Sequence, residues 1–246
     1  MKISIITVVL NNKAHIENCI CSVLNQGCAN VEYIVIDGGS QDGTVDSIRK
    51  YDRYLSAWIS EPDRGIYDAM NKGISMATGD IIGLLNADDY YASNTVLADV
   101  ASVFRDMEVD SCYGDLTYVA DRDRITRYWK AGPYRADKFY WGWMPPHPTF
   151  FVLKQCYEKF GAFNLNMGSS ADYELLLRFL LKHKIKTYYI PKVLVKMRTG
   201  GVSNASLKNR IAANRKDLLA WRVNGLTPYR WTILLKPISK IGQFIQ

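Results

Sequence analysis

Two adjacent carboxylates, Asp88 and Asp89, follow an apolar run at residues 81–85 and are separated from it only by Asn86 and Ala87. Neighbouring carboxylates repel each other, and a bound cation relieves the repulsion better than the milder field of a helix N-terminus. As hard oxygen ligands they suit Mg2+ or Mn2+, which would bridge to phosphate oxygens. Three other polar groups follow apolar runs in the same way: Asn11 after residues 3–10, Asp37 after 31–36, and Glu61-Pro62-Asp63-Arg64 after 55–59. Any one of them alone reads as a turn or a helix cap. Four in register read as a cluster.

The elements that must position this cluster are legible from apolar spacing. Residues 3–10 form a continuous apolar run with Thr7 inside it, which predicts a strand buried on both faces. Residues 14–24 carry Ile16, Ile20, Val23 and Leu24 at helical spacing. Strands at 31–36, 55–59 and 81–85 alternate with helices at 45–51, 66–77 and 95–107. This alternation predicts an α/β fold, a Rossmann-like, mostly parallel central sheet with helices on both faces. All four polar groups then gather at the carboxyl edge of that sheet, where open α/β sheets bind ligands.

Two common nucleotide sites are excluded by what is missing. The first strand runs into Asn11-Asn12-Lys13-Ala14-His15, with no Gly-x-Gly-x-x-Gly, and no Walker A lysine loop occurs. Without a glycine cradle, a diphosphate would need a cation held by carboxylates.

Four stretches carry a resemblance: residues 3–11, 32–44 (Glu32-Tyr33-Ile34-Val35-Ile36-Asp37-Gly38-Gly39-Ser40-Gln41-Asp42-Gly43-Thr44), 61–73 (Glu61-Pro62-Asp63-Arg64-Gly65-Ile66-Tyr67-Asp68-Ala69-Met70-Asn71-Lys72-Gly73) and 77–89. In this order they are similar to family 2 glycosyltransferases of the GT-A fold. Pro146-His147-Pro148-Thr149-Phe150-Phe151 and Ala171-Asp172-Tyr173-Glu174 resemble the family's later acceptor-side motifs, so the similarity reaches to about residue 200. The resemblance implies inverting transfer of a sugar from a nucleoside diphosphate sugar, with a UDP-sugar as donor and Mn2+ or Mg2+ as cofactor. It implies that Asp37 receives the nucleobase and that Thr7, Val9, Asn11, Asp63, Arg64 and Lys72 lie near the nucleotide. Asn86, Asp88 and Asp89 occupy the metal motif, with Asn86 where the first Asp often stands. That departure leaves Asp88 on the diphosphate or ribose and makes Asp89 the most direct metal ligand.

Asp172 matches the family's base position, although a carboxylate at the start of the leucine-rich stretch 173–181 also suits a helix cap. Glu174 reads as a first-turn helix acid. His147, fixed in a loop by Pro146 and Pro148, has three open roles: third metal ligand, diphosphate contact or structural histidine. Arg198, ahead of Gly200-Gly201-Val202-Ser203, resembles a segment that closes over the diphosphate, with surface solvation as the bland alternative. The aromatic run Phe139-Tyr140-Trp141-Gly142-Trp143 suits stacking on sugar or lipid, or core packing, which is favoured for Phe139 and Tyr140.

With 48% hydrophobic and 22% charged residues among 246, disorder, collagen and a disulfide mini-scaffold are excluded. The formal net charge of +7 is an average of two unlike halves. Residues 1–120 hold 8 basic and 17 acidic side chains, and residues 121–246 hold 23 and 7. Five cysteines, an odd number, argue against a secreted disulfide framework, and Cys19 and Cys21 point to different sides of one helix. Asn11-Asn12-Lys13 interrupts an opening that otherwise resembles a signal peptide, and no apolar run approaches the ~18 residues of a membrane span. Cytoplasm is the expected location. No nucleic-acid motif accompanies the basic half. Residues 229–245 mix Trp, Leu, Ile and Phe with Lys and Arg, the composition of a segment on an anionic membrane, broken by Pro237. A homodimer contact and a solvated basic face are the alternatives.

The expected layout is a GT-A domain over 1–205, divided into a nucleotide-sugar half (1–115) and an acceptor half (116–205), and a basic, amphipathic helical extension over 206–246. A glycan or polyprenyl-diphosphate-linked acceptor in surface polysaccharide synthesis fits this layout. The rivals are a nucleotidyltransferase, which normally needs a phosphate loop absent here, and a catalytically silent sugar-nucleotide-binding or scaffold protein. The silent protein would lack a carboxylate at 172 or at the 88–89 pair.

Overall fold

The computed structural model describes residues 1–28, 30–199 and 207–238. A nine-stranded sheet runs through it in the order β3-β2-β1-β4-β8-β6-β9-β5, with β7 beside β6. Its first half comprises β1 (Ile3–Val9), α1 (Ile16–Leu24), β2 (Val31–Asp37), α2 (Thr44–Arg49), β3 (Ala57–Ser60), α3 (Ile66–Met76) and β4 (Ile81–Asn86). Four parallel strands with helical crossovers give the expected Rossmann-like order. Next come β5 (Tyr90–Tyr91), α4 (Val96–Asp106), β6 (Ser111–Val119), β7 (Ile125–Trp129), α5 (Asp137–Tyr140), β8 (Phe151–Leu153) and α6 (Lys154–Phe160). The chain then forms α7 (Ala171–Leu176), a turn of π-helix over Leu177–Lys182, β9 (Thr187–Arg198), α8 (Leu207–Val223) and α9 (Thr232–Ile238).

Strand β8 is antiparallel to both β4 and β6, so β6 runs with β4, and β9 runs parallel to β6. Only β5, β7 and β8 oppose the common direction.

Alternating residues of β1 face two cores. Ile3, Ile5 and Val9 pack with Ile16, Ile20 and Val23 of α1 and with Val96 and Val100 of α4. Ile6 and Val8 pack on the other face, with Met70 and Ile74 of α3 and with Leu175 and Leu176 of α7. Gly73 lets α3 come this close, because a Cβ there would run into the Ile6 side chain.

Residues 207–223 and 232–238 are helical and pack on the rest of the fold. Trp221 of α8 is fully buried and Ile233 of α9 nearly so, both in the core that holds α7. Packing on the fold takes up Trp221 and Ile233 of this stretch, while Leu218, Leu219, Val223, Tyr229 and Trp231 stay exposed. Residues 200–206 and 239–246, including Gly200-Gly201-Val202-Ser203 and the end of the basic tail, lie outside the described residues. No helix among the described residues is long and apolar enough to cross a membrane.

At the opposite edge of the sheet, Glu32 ties three segments together. Its carboxylate accepts from Lys2 Nζ at 2.8 Å, Ser4 Oγ at 2.5 Å, and Thr78 N and Oγ1 at 2.7 and 2.6 Å. Burial alone would raise this carboxyl, but these donors outweigh it and hold it at about 2, against an ordinary 4.5. A depressed folded pKa gives stability that is present above the unfolded value and lost as pH falls through the folded one. Glu32→Gln is therefore expected to lose about 2–3 kcal/mol at pH 7 in chemical denaturation. The gap should narrow below the ordinary carboxylate range and close as pH approaches 2; a gap independent of pH would refute this account.

Candidate active site

Parallel register places the predicted cluster. Val9 of β1 lies opposite Asp37 of β2, Asp37 opposite Ser60 of β3, and Val8 opposite Asn86 of β4. The carboxyl ends of four strands thus bring Asn11, Asp37, Asp63 and the 86–89 turn to one edge.

Asp37 sits at the base of a loop that it organises. Its Oδ2 accepts from Gly39 N at 3.1 Å, Ser40 N at 2.9 Å and Ser60 Oγ at 2.6 Å, while its buried Oδ1 has no partner among the described residues. Asn11, at φ 48°, takes a left-handed conformation that Asn tolerates. From there its Oδ1 accepts from Gln41 N at 2.8 Å and its amide donates to Ser40 Oγ at 2.7 Å, pinning residues 40–41 to the end of β1. Asp63 packs directly over Gly38, where any Cβ would strike its carboxylate, and accepts from Gly65 N at 2.7 Å.

The 86–89 turn gathers oxygen without gathering donors. Asp89 is 1% exposed; its Oδ2 accepts from Asn86 Nδ2 at 3.2 Å, and its Oδ1 is a second buried, unpartnered acceptor. Asn86 Oδ1 is a third. Asp88 keeps partial exposure. Burial, reinforced by the charge of Asp88, pushes the Asp89 carboxyl well above the aspartate range, against the opposing influence of Asn86 and nearby Arg198. Two carboxylates and an amide oxygen short of donors suit a divalent hard cation, which takes one or two protein carboxylates and leaves positions for phosphate oxygens. Pairing of β5 with β9, Tyr90 opposite Lys196, brings the end of β9 back beside this turn. There Arg198 lies over the Tyr90 ring at 5.0 Å and donates to Asn18 Oδ1 at 3.2 Å, with its buried Nε unpartnered among the described residues. An unmet donor thus lies near unmet acceptors.

A second group forms where α3, α7 and the loop before β8 meet. His147 Nδ1 lies 3.2 Å from Asp172 Oδ2, and Tyr173 N donates to Asp172 Oδ1 at 2.8 Å. Tyr67 of α3 stands close to Asp172, and burial, followed by the charge of Asp172, pushes its phenol well above the usual range. Burial, the largest single influence on Asp172, would raise its carboxyl. The hydrogen bond and charge of His147 and the charge of Lys236 outweigh burial and leave it below the usual range. Lys236 of α9 donates to Asp217 Oδ2 at 2.7 Å and lies 3.6 Å from the centre of the Tyr173 ring, whose hydroxyl accepts from Trp221 Nε1 at 2.9 Å. Glu174, two residues along, is a structural acid: Arg178 donates to it bidentately, from Nε at 3.0 Å and Nη2 at 2.9 Å.

The family described as Glycosyl transferase family 2 matches residues 4–164. The chain belongs to this family. Among its relatives is the PGL/p-HBAD biosynthesis glycosyltransferase of Mycobacterium tuberculosis, 30% identical over 206 residues, which cover 82% of this chain and 78% of the relative. Chondroitin synthase of Pasteurella multocida is 27% identical over 84% of this chain and 21% of its own. Among solved structures, S. aureus TarS 1-349 in complex with UDP-GlcNAc superposes with a TM-score of 0.68 at 16% identity, over 89% of this chain and 67% of that one. A mannosyltransferase from Pyrobaculum calidifontis in complex with GDP-Man and Mn2+ gives 0.66 at 17% identity, over 95% and 68%. The fold is GT-A.

Several residues of this family 2 glycosyltransferase sit otherwise than the sequence implies. Thr7 is 0% exposed, bonded to Tyr33 Oη at 3.0 Å and near Cys19 Sγ, and Val9 packs into the same α1-side core. A parallel strand covered on both faces has no free side, so neither side chain reaches a donor at the edge. His147 does not join Asp88 and Asp89. It is engaged by Asp172, and among the described residues no three His, Cys, Asp or Glu side chains gather into a metal site. Arg64 pairs with Asp68 at 2.9 Å, and Lys72 bridges Glu61 at 2.8 Å and the Pro62 carbonyl at 3.1 Å, so both brace the 61–68 segment. Sequence reasoning passed over Tyr67 and Lys236, which act on Asp172 across 105 and 64 positions of chain. Tyr67 lies inside a motif already quoted; Lys236 has no local signal.

A raised folded pKa means that the Asp89 carboxyl costs more stability as pH climbs above its unfolded value. In EDTA, Asp89→Asn is expected to be more stable than the wild type at pH 7 by roughly 1–2 kcal/mol, with the difference shrinking towards pH 4. A variant less stable than the wild type in EDTA would mean that the carboxylate is satisfied without a cation.

Proposed function

We propose that this family 2 glycosyltransferase transfers a sugar with inversion from a nucleoside diphosphate sugar, a UDP-sugar, to a glycan or polyprenyl-diphosphate-linked acceptor. The observation that carries the reading is the contrast between two carboxylate groups on one molecule. Asp89 is buried beside Asp88 with its Oδ1 and the Asn86 Oδ1 unpartnered among the described residues, whereas both carboxylate oxygens of Asp172 are engaged, by His147 and the Tyr173 amide. The first set suits a cation and a diphosphate, and the second holds an ionised base. The UDP-GlcNAc bound by TarS supports this donor, and the PGL/p-HBAD biosynthesis in the mycobacterial relative's name supports a biosynthetic transfer of this kind.

In the proposed reaction, the unpartnered Oδ1 of Asp37 accepts the imide N–H of the nucleobase. Asn86, Asp88 and Asp89 would hold Mn2+ or Mg2+, in keeping with the Mn2+ of the Pyrobaculum enzyme, and the ion would supply Lewis-acid neutralisation of the departing diphosphate. Arg198 lends its free Nε–H to the same phosphate oxygens. Asp172 takes the proton of the acceptor hydroxyl as that oxygen bonds to the anomeric carbon. The bond to the diphosphate oxygen breaks on the opposite face, and the electron pair leaves with the nucleotide. His147 and the Tyr173 amide fix the carboxylate, and the charges of His147 and Lys236 keep it ionised.

Asp172→Asn is expected to keep nucleotide affinity and to lose transfer by roughly 10²-fold or more, measured on a panel of nucleotide sugars. The base must be ionised, so a depressed pKa extends activity to low pH. In His147→Gln the effect of burial loses its main opponent, and the acidic limb of kcat against pH should move to higher pH. Unimpaired transfer by Asp172→Asn sinks the base assignment. An unmoved limb in His147→Gln sinks the role of His147 alone.

A further inference from the structure

Three aromatic rings stand in the open beside the α8–α9 corner. Trp141 is 53% exposed, Tyr229 48% and Trp231 46%, yet they are grouped, with centroids 6.5 Å apart for Trp141–Tyr229, 6.3 Å for Trp141–Trp231 and 5.3 Å for Tyr229–Trp231. The group is anchored. Tyr140 lies 4.9 Å from both Tyr229 and the buried Trp221, and Thr232 Oγ1 donates to the Tyr140 carbonyl at 2.8 Å. Leu218, Leu219 and Val223 of α8 add further exposed apolar surface to this part of the chain. Grouped exposed aromatics on a rigid footing mark a contact surface.

The charges nearby have one sign. Residues 215–238 contain five basic side chains and a single acid, Asp217, which is buried and paired with Lys236. Arg222 and Arg230 are exposed. A two-fold contact with a second copy would set this cationic patch against itself. A sugar-binding ledge needs carboxylate or amide side chains to read hydroxyls, and of the two candidates in 215–238, Asp217 is engaged by Lys236 and the buried Asn224 amide is spent on Glu174 and the Ala220 carbonyl. Amphipathic rings flanked by arginines, with the exposed acid on α5 before Trp141, Asp137, paired to Arg135 at 2.7 Å, complement an anionic lipid surface, where Trp and Tyr settle at headgroup depth.

We propose that Trp141, Tyr229 and Trp231, with Arg222 and Arg230, form a docking surface for an anionic membrane. The surface draws Trp141 from the acceptor half and does not depend on the tail beyond residue 238. Because α9 also carries Lys236, whose charge bears on Asp172, docking would set the proposed base beside the lipid. Vesicle binding requires no donor, so the inference stands or falls separately from the catalytic reading.

The test is flotation of the full chain with phosphatidylcholine vesicles, with and without phosphatidylglycerol, alongside tryptophan emission. The expected result is binding with a blue shift on anionic vesicles only. Trp231→Ser and the pair Arg222→Gln/Arg230→Gln should each weaken it roughly tenfold. The arginine pair lies outside the packed rings, so it tests the surface even if a tryptophan variant unfolds. The proposal is overturned if the wild type binds neither vesicle, if it binds both equally, or if the arginine variant binds like the wild type. It is also overturned if Trp231→Ser abolishes a dimer seen by light scattering and leaves vesicle binding unchanged.

Discussion

Strand β1 lies between β2 and β4 with Val9 opposite Asp37 and Val8 opposite Asn86, and this parallel register decides where every later group can stand. A slip of one residue would turn Ile3, Ile5 and Val9 out of the α1-side core, so burial on both faces locks the register. Once it is locked, the chain has no choice but to release Asp37 and Asp88-Asp89 at the same edge. Their polar atoms leave the sheet where backbone pairing ends, and the helices that follow point away. Unmet acceptors therefore collect there as a consequence of topology, and chemistry is the use made of them.

The second half extends the sheet and adds what the edge lacks. Antiparallel β8 lets β6 and β9 resume the common direction, and the short β5 then ties the Asp89 turn to the end of β9, so that Arg198 arrives beside the carboxylates. The base side is built differently. Asp172 is held from two sides, by His147 and the amide of Tyr173, and the residues behind it are fixed by Trp221 and Lys236. One carboxyl is raised by its surroundings and the other lowered, which fits the proposed division between a cation site and a proton acceptor.

What could be read from the sequence follows the range of the forces involved. The strands, the helices between them and the four polar groups at their ends are encoded within about a dozen residues each, so apolar spacing revealed them. Thr7 and Val9 show the limit of a motif. A residue inside a recurring stretch can serve the strand while its neighbours serve the ligand. The His147–Asp172 pair spans 25 positions and two loops, and nothing local distinguishes a histidine between prolines that meets a metal from one that meets a carboxylate. The C-terminal helices show a related limit. Composition reports how much apolar and basic surface a segment has, but not how much of it the rest of the fold will cover.

The basic half shows what covering does to charge. Arg178, counted as surface positive charge in the sequence, is spent inside on Glu174 and on the carbonyls of Phe160, Gly161 and Ala162 at 2.5–2.7 Å. Lys236 is likewise spent on Asp217 and on the ring of Tyr173. Both bind segments that support Asp172, so part of the excess is structural and acts through the base site. The remainder, such as Arg222 and Arg230, stands free of acids on the same helical corner. A net charge therefore has no single meaning in this molecule. The cations buried against α7 hold a carboxylate in place, and those left outside set the sign of the surface around the α8–α9 corner.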